Sequence, residues 1–136
     1  MLMVRGVRGA TTVAEDTPEA IIDGAVALLR EVITLNGIQE EYVASVLFTT
    51  TPDLTAAYPA RAARLLGWES TALMGMQEMA VPGGLERCIR VLVHWNTAKG
   101  LDELVHVYMN GAERLRPDFL YPKNKVVLNN EERPEK

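Results

Sequence analysis

The chain has 136 residues, 48% of them apolar, and a formal net charge of −4. That is one domain's worth of sequence with enough apolar side chains for a core, and its acidity argues against a general nucleic-acid surface. A lone cysteine, Cys88, excludes an internal disulfide, and no apolar run reaches the ~18 residues that would read as a membrane span.

In chain order, residues 2–13 read as a strand, with Met3, Arg5, Val7 and Gly9 on one face and Val4, Gly6 and Arg8 on the other. Thr17 and Pro18 are an N-cap and a first helical residue. The stripe Ile21, Ile22, Ala25, Leu28, Leu29, Val32, Ile33 then has helical period and ends at Gly37. Residues 42–50, "YVASVLFTT", form a buried strand. Tyr58-Pro59 opens a second helix that Gly67 stops. Further strands are expected at 70–76, 88–95 and 104–109, with a turn at Pro82-Gly83-Gly84 and a helical turn over 111–115. Residues 1–120 make a single domain, and 121–136, polar and short of apolar anchors, form a mobile tail. The order β-α-β-α-β-β-β gives an α+β (mixed α/β) fold: a five-stranded mixed sheet with two main helices on one face. Its other face needs a partner, and a symmetric oligomer supplies one.

Two charged residues stand at apolar addresses. Glu78 lies between Gln77 and Met79, just after Met76, and Arg90 lies between Ile89 and Val91. On the strand at 88–95, Ile89, Val91, Val93 and Trp95 share the core face, so Cys88, Arg90, Leu92 and His94 look the other way. A buried charge needs a partner. On the residues alone, a salt bridge with Glu78 and a shared ligand are equally open. Arg5 and Arg8, three apart, point to opposite faces, and surface charge on an edge strand is their simpler reading. Arg61 and Arg64 share a helix face, where a solvated stripe is the simpler reading.

The rest of the inventory is sparse. His94 and His106 have no metal-like spacing to Cys or a carboxylate. No serine sits in a nucleophile elbow, and neither "GVRGATT" nor "VPGGLE" is a phosphate or dinucleotide fingerprint. No metal and no cofactor is therefore expected. The 14 cations are mostly arginines, whose planar forks suit carboxylates. With Tyr108 near a strand end, the set suits binding an anion, or catalysis by electrostatics alone.

Four blocks, "RGVRGATT" (5–12), "TPDLTAAYPARAAR" (51–64), "MQEMAVPGGLERCIRV" (76–91) and "HVYMNGAERLRPD" (106–118), in this order and spacing, resemble the small monofunctional trimeric chorismate mutases. The resemblance runs from Met3 to about Lys125. It implies a homotrimeric pseudo-α/β barrel. Separately, the start lacks an apolar stretch long enough for a signal peptide, so a cytoplasmic protein with no membrane or nucleic-acid partner is expected. The reaction implied by the resemblance is the pericyclic rearrangement of the dicarboxylate chorismate to prephenate, on the route to phenylalanine and tyrosine. The same resemblance implies the site. Arg90 meets the ether oxygen and a carboxylate, Glu78 accepts from the ring hydroxyl, and Arg8 and Tyr108 grip carboxylate. Met74, Gly75, Met76 and Gln77 line the pocket, Gly75 through its backbone. Tyr58, Arg61 and Arg64 come from the neighbouring subunit, and Leu115 and Arg116 cover the site. The chain departs from the family pattern at four of these positions: Gly75 stands for Cys, Tyr58 for Phe, Arg61 for Lys, and Met74 for a smaller polar residue. Two alternatives stand beside this reading: an imine deaminase-like trimer, and a non-catalytic trimer that binds an aromatic acid. The block at 76–91 argues against the first, and the set Arg8, Glu78, Arg90 against the second.

Overall fold

A computed structural model describes residues 1–116 and 126–128. The fold is the mixed α+β sheet expected from the sequence. Its strands are β1 (Met3–Thr12), β2 (Val43–Thr50), β3 (Ala72–Gln77), β4 (Cys88–Thr97), β5 (Val107–Met109) and β6 (Val126–Leu128). The first five are those the sequence predicts. β6 is an addition within the segment expected to be a tail, most of which lies outside the described residues. The spatial order is β3-β2-β4-β1-β5-β6. β4 runs antiparallel to β1 and β2, while β2/β3, β1/β5 and β5/β6 are parallel.

Helix α1 (Pro18–Asn36) starts where predicted, with Thr17 Oγ1 accepting from the Ala20 amide at 3.1 Å. It stops at Gly37, whose φ of +72° is left-handed, the conformation glycine adopts at least cost. Its buried stripe Ile21, Ala25, Leu28, Leu29 and Val32 packs on Val7, Val46, Phe48, Ile89, Val91 and Val93. Gly9 permits the close approach of α1 to the sheet: a β-carbon there would meet Leu28, Val32 and Val91 at 3.0–3.1 Å.

Two predicted elements are shorter than expected. Helix α2 spans only Arg61–Leu65. The amides of Arg61, Ala62 and Ala63 bond to carbonyls three residues back, from Tyr58 to Ala60, so the first turn is a tighter 3₁₀ winding. β5 begins at Val107 rather than Leu104 because the Asn36 side chain already occupies the backbone of Val105. Asn36 Oδ1 accepts from its amide at 2.8 Å, and Nδ2 donates to its carbonyl at 2.9 Å.

Both helices lie on one face of the sheet. The opposite face carries Arg8, Leu47, Thr49, Arg90, Leu92 and His94, all partly exposed.

Candidate active site

Strand register builds the site on the helix-free face. Met76, Thr49, Arg90, Ala10 and Tyr108 stand opposite one another across β3, β2, β4, β1 and β5. Paired residues share a face, so five strands contribute to one row. The next row holds Leu47, Leu92 and Arg8. These residues line a pocket of about 210 Å³ together with Glu78.

Glu78 is the first residue past β3. Its amide donates to Thr50 O at 2.8 Å and extends the β2/β3 ladder by one step. Its Oε1 accepts from Thr49 Oγ1 at 2.8 Å and lies 3.7 Å from Arg90 Nε. That is an ion pair beyond hydrogen-bond range. Arg90 Nε is buried and makes no hydrogen bond among the described residues. The two side chains are one-third and one-quarter exposed, so they neighbour each other without closing on each other. Of the two readings left open by the sequence, a guanidinium facing an open pocket agrees better with this spacing than a closed structural bridge.

Arg8 lines the same pocket, and its amide donates to His106 Nδ1 at 3.0 Å. Arg5 goes to the other side, where its Nε donates to Lys99 O at 3.2 Å. The split expected from their spacing is thus observed. Tyr108 is 1% exposed and packs with Ala10, Cys88 and Ala112, with Leu115 against the same cluster. Burial pushes the Cys88 thiol above its ordinary range, against the pull of the Arg90 charge nearby, so a thiolate nucleophile is disfavoured. Among the described residues no group of three His, Cys, Asp or Glu stands close enough to hold a metal ion.

Other predicted residues lie elsewhere in the chain. Met74 is on the pocket face, one row from Met76. Gly75 and Gln77 alternate to the opposite face, beside Tyr58. Tyr58, Arg61 and Arg64 line a separate hollow with Pro18 and Leu73, and all three are exposed. Arg116 is partly exposed at the end of the 3₁₀ turn Asn110–Leu115. Two site neighbours carry no sequence signal. Thr49 reads as an ordinary β-branched strand residue, and His106 as an isolated histidine.

A larger hollow, about 790 Å³, lies between α1 and the Asn110–Leu115 turn. Its charged lining is Asp23, Glu113 and Arg114, a net negative set that repels anions. The smaller pocket joins two arginines, one carboxylate and a tyrosine on an apolar floor, which is the arrangement a small anionic ligand requires.

The chorismate mutase type I family model matches residues 4–119. The chorismate mutase AroH of Thermus thermophilus is 53% identical over 118 residues, covering 86% of this chain and 97% of that protein. The Bacillus subtilis AroH chorismate mutase is 44% identical over 124 residues, covering 90% and 98%. A solved chorismate mutase from Clostridium thermocellum has a TM-score of 0.80 at 50% identity, over 82% of this chain and 99% of that one. With a pocket of this chemistry on this sheet and a family model that spans all five principal strands, the chain belongs to the chorismate mutase type I family.

Proposed function

We propose that this pocket converts chorismate to prephenate. In this reaction one C–O bond breaks and one C–C bond forms within a single molecule. No proton moves and no covalent enzyme intermediate forms. The protein's task is to hold the side chain over the ring and to place fixed charge where the ether oxygen becomes negative. Arg90 takes that second role. Its buried Nε, with no hydrogen bond in the resting site, is the observation that carries the reading. A preorganised donor without a protein acceptor needs no rearrangement as charge develops on the substrate. Arg8 and Tyr108 hold carboxylate, and Glu78 accepts from the ring hydroxyl.

The same reading makes the enzyme a cytoplasmic homotrimer, closed as a pseudo-α/β barrel, with each cleft shared between subunits. Three observations support it. The pocket of one protomer holds about 210 Å³, whereas a complete small-molecule site spans roughly 300–1,000 Å³. The edge strand β3 and its neighbourhood expose Met74, Met76, Met79, Val81, Leu65 and Tyr58, each at 42% or more, a concentration that marks an interaction surface. Tyr58, Arg61 and Arg64 lie outside their own protomer's pocket and remain available to a neighbour's, with the Gly75 backbone on the same side. Met76 lines its own protomer's pocket, with Met74 beside it and Gln77 at the shared edge. In this reading residues 1–120 form the catalytic domain, and Leu115 and Arg116 cover the site once substrate is bound. Residues 121–136 are an appended segment that adds β6 beside β5.

Purified protein supplied with chorismate tests this directly. The account predicts loss of chorismate absorbance with one prephenate formed per chorismate consumed. Absence of turnover in a verified trimer would refute it.

A further inference from the structure

We propose that Thr49 is a positioning residue that keeps Glu78 and Arg90 apart and ready for substrate; the inference rests on the functional reading above. Thr49 stands in register between Arg90 on β4 and Met76 on β3. The neighbouring residue in β2, Thr50, accepts from the backbone of Glu78, while the Thr49 hydroxyl holds its side chain. Consecutive residues of one strand thus fix the backbone and the side chain of Glu78.

The consequence lies in how the two carboxylate oxygens are used. Oε1 takes the Thr49 hydrogen bond at 2.8 Å and faces Arg90 at 3.7 Å. Oε2 makes no hydrogen bond among the described residues. A carboxylate and a guanidinium this close normally collapse into a short bridge, often bidentate. A bridge of that kind would neutralise the two groups the substrate needs. The hydroxyl competes for Oε1, draws off part of its charge and anchors it toward β2. Arg90 Nε is left without an acceptor and Oε2 is left for the ligand hydroxyl.

Removal of that hydroxyl without a change of shape isolates the effect. In Thr49→Val, Glu78 swings onto Arg90 and the substrate must break the new bridge. We expect kcat/KM to fall about 10- to 100-fold, the span of one hydrogen bond to a charged group, through a raised KM and a lowered kcat. Thr49→Ser restores the donor and should stay within about threefold of the parent. In a Glu78→Ala background, assayed at high enzyme concentration, Thr49→Val should cost nothing further, because no carboxylate remains to position. A purely structural role predicts the same loss in both backgrounds, and that result overturns the proposal. So does a folded Thr49→Val enzyme within about threefold of the parent; if Val does not fold, Thr49→Ala is read the same way. Turnover by the unmodified enzyme is measured in the same series, so failure of the chorismate reading itself is seen separately.

Discussion

Replacement of Arg90 by alanine isolates the charge on which the proposed mechanism depends. In the resting site the guanidinium makes no hydrogen bond through Nε, and its nearest carboxylate is 3.7 Å away. Little protein–protein bonding through Nε is therefore lost with it, and in the proposed mechanism its charge acts on the ligand. A charge pair at ~4 Å in a pocket of effective dielectric about 20 is worth about 4 kcal/mol. Removal of one preorganised donor from an oxyanion site has a similar effect, about 2.7–4 kcal/mol, or 10²–10³ in rate. We expect Arg90→Ala to lower kcat by roughly that factor or more. The fold should be spared: Glu78 keeps the Thr49 hydrogen bond and is one-quarter exposed, so the change in unfolding free energy should stay under about 1 kcal/mol. Arg90→Lys should recover only part of the rate, since an ammonium lacks the planar fork. The assay follows chorismate absorbance with prephenate counted by chromatography, and gel filtration checks the assembly. An intact Arg90→Ala assembly within tenfold of the parent turnover would refute the electrostatic role. Lost activity with a collapsed assembly would show that Arg90 acts through structure.

Three further outcomes follow from other parts of the molecule. Asn36→Ala removes both bonds to Val105 from a residue 3% exposed; water reaches half-buried Val105, so chemical denaturation should show a loss of about 2–3 kcal/mol, and a loss under about 1 kcal/mol would contradict the suture between α1 and the start of β5. Partial burial acts to raise the Asp53 carboxyl, but hydrogen bonds from the Thr51 hydroxyl and the Arg87 amide, with the Arg87 charge, outweigh it and hold it below its usual 3.8. A depressed carboxyl stabilises the fold above its unfolded value and loses that contribution as pH falls through the lower folded value, so the Tm gap between the parent and Asp53→Ala should be full near neutrality and narrow below pH 3.8; a gap constant with pH would contradict the assignment. If clefts are shared between subunits, refolding a mixture of Arg90→Ala and Arg64→Ala, each first shown to be severely impaired, should restore activity above either parent, and no recovery after verified mixing would place each site within one chain.

The strand geometry of the candidate site was legible because period-two alternation is a strong signal. Ile89, Val91, Val93 and Trp95 read as core and are core, each 6% exposed or less. That reading alone turned Arg90 to the other face, and the same arithmetic separated Arg8 from Arg5. The order of strands was not legible, since β4 pairs with β1 and β2 over long stretches of chain and local pattern carries no record of such pairing. Nor was the late start of β5, which depends on one asparagine side chain reaching the backbone of Val105, 69 residues away. β6 is three residues long, too short to show any period. Thr49 carries no sequence signal because a threonine in a strand is the commonplace choice; only its hydrogen bond to Glu78 sets it apart.

The measurement that tests the central claim most directly is a crystal structure of the protein with prephenate bound, because it shows where the dicarboxylate sits. The account predicts density against the helix-free face of the sheet, with carboxylates on Arg8 and Arg90 and the ring hydroxyl on Glu78 Oε2. Density in the hollow lined by Asp23, Asn110 and Arg114, with the Arg90 pocket empty, would contradict it.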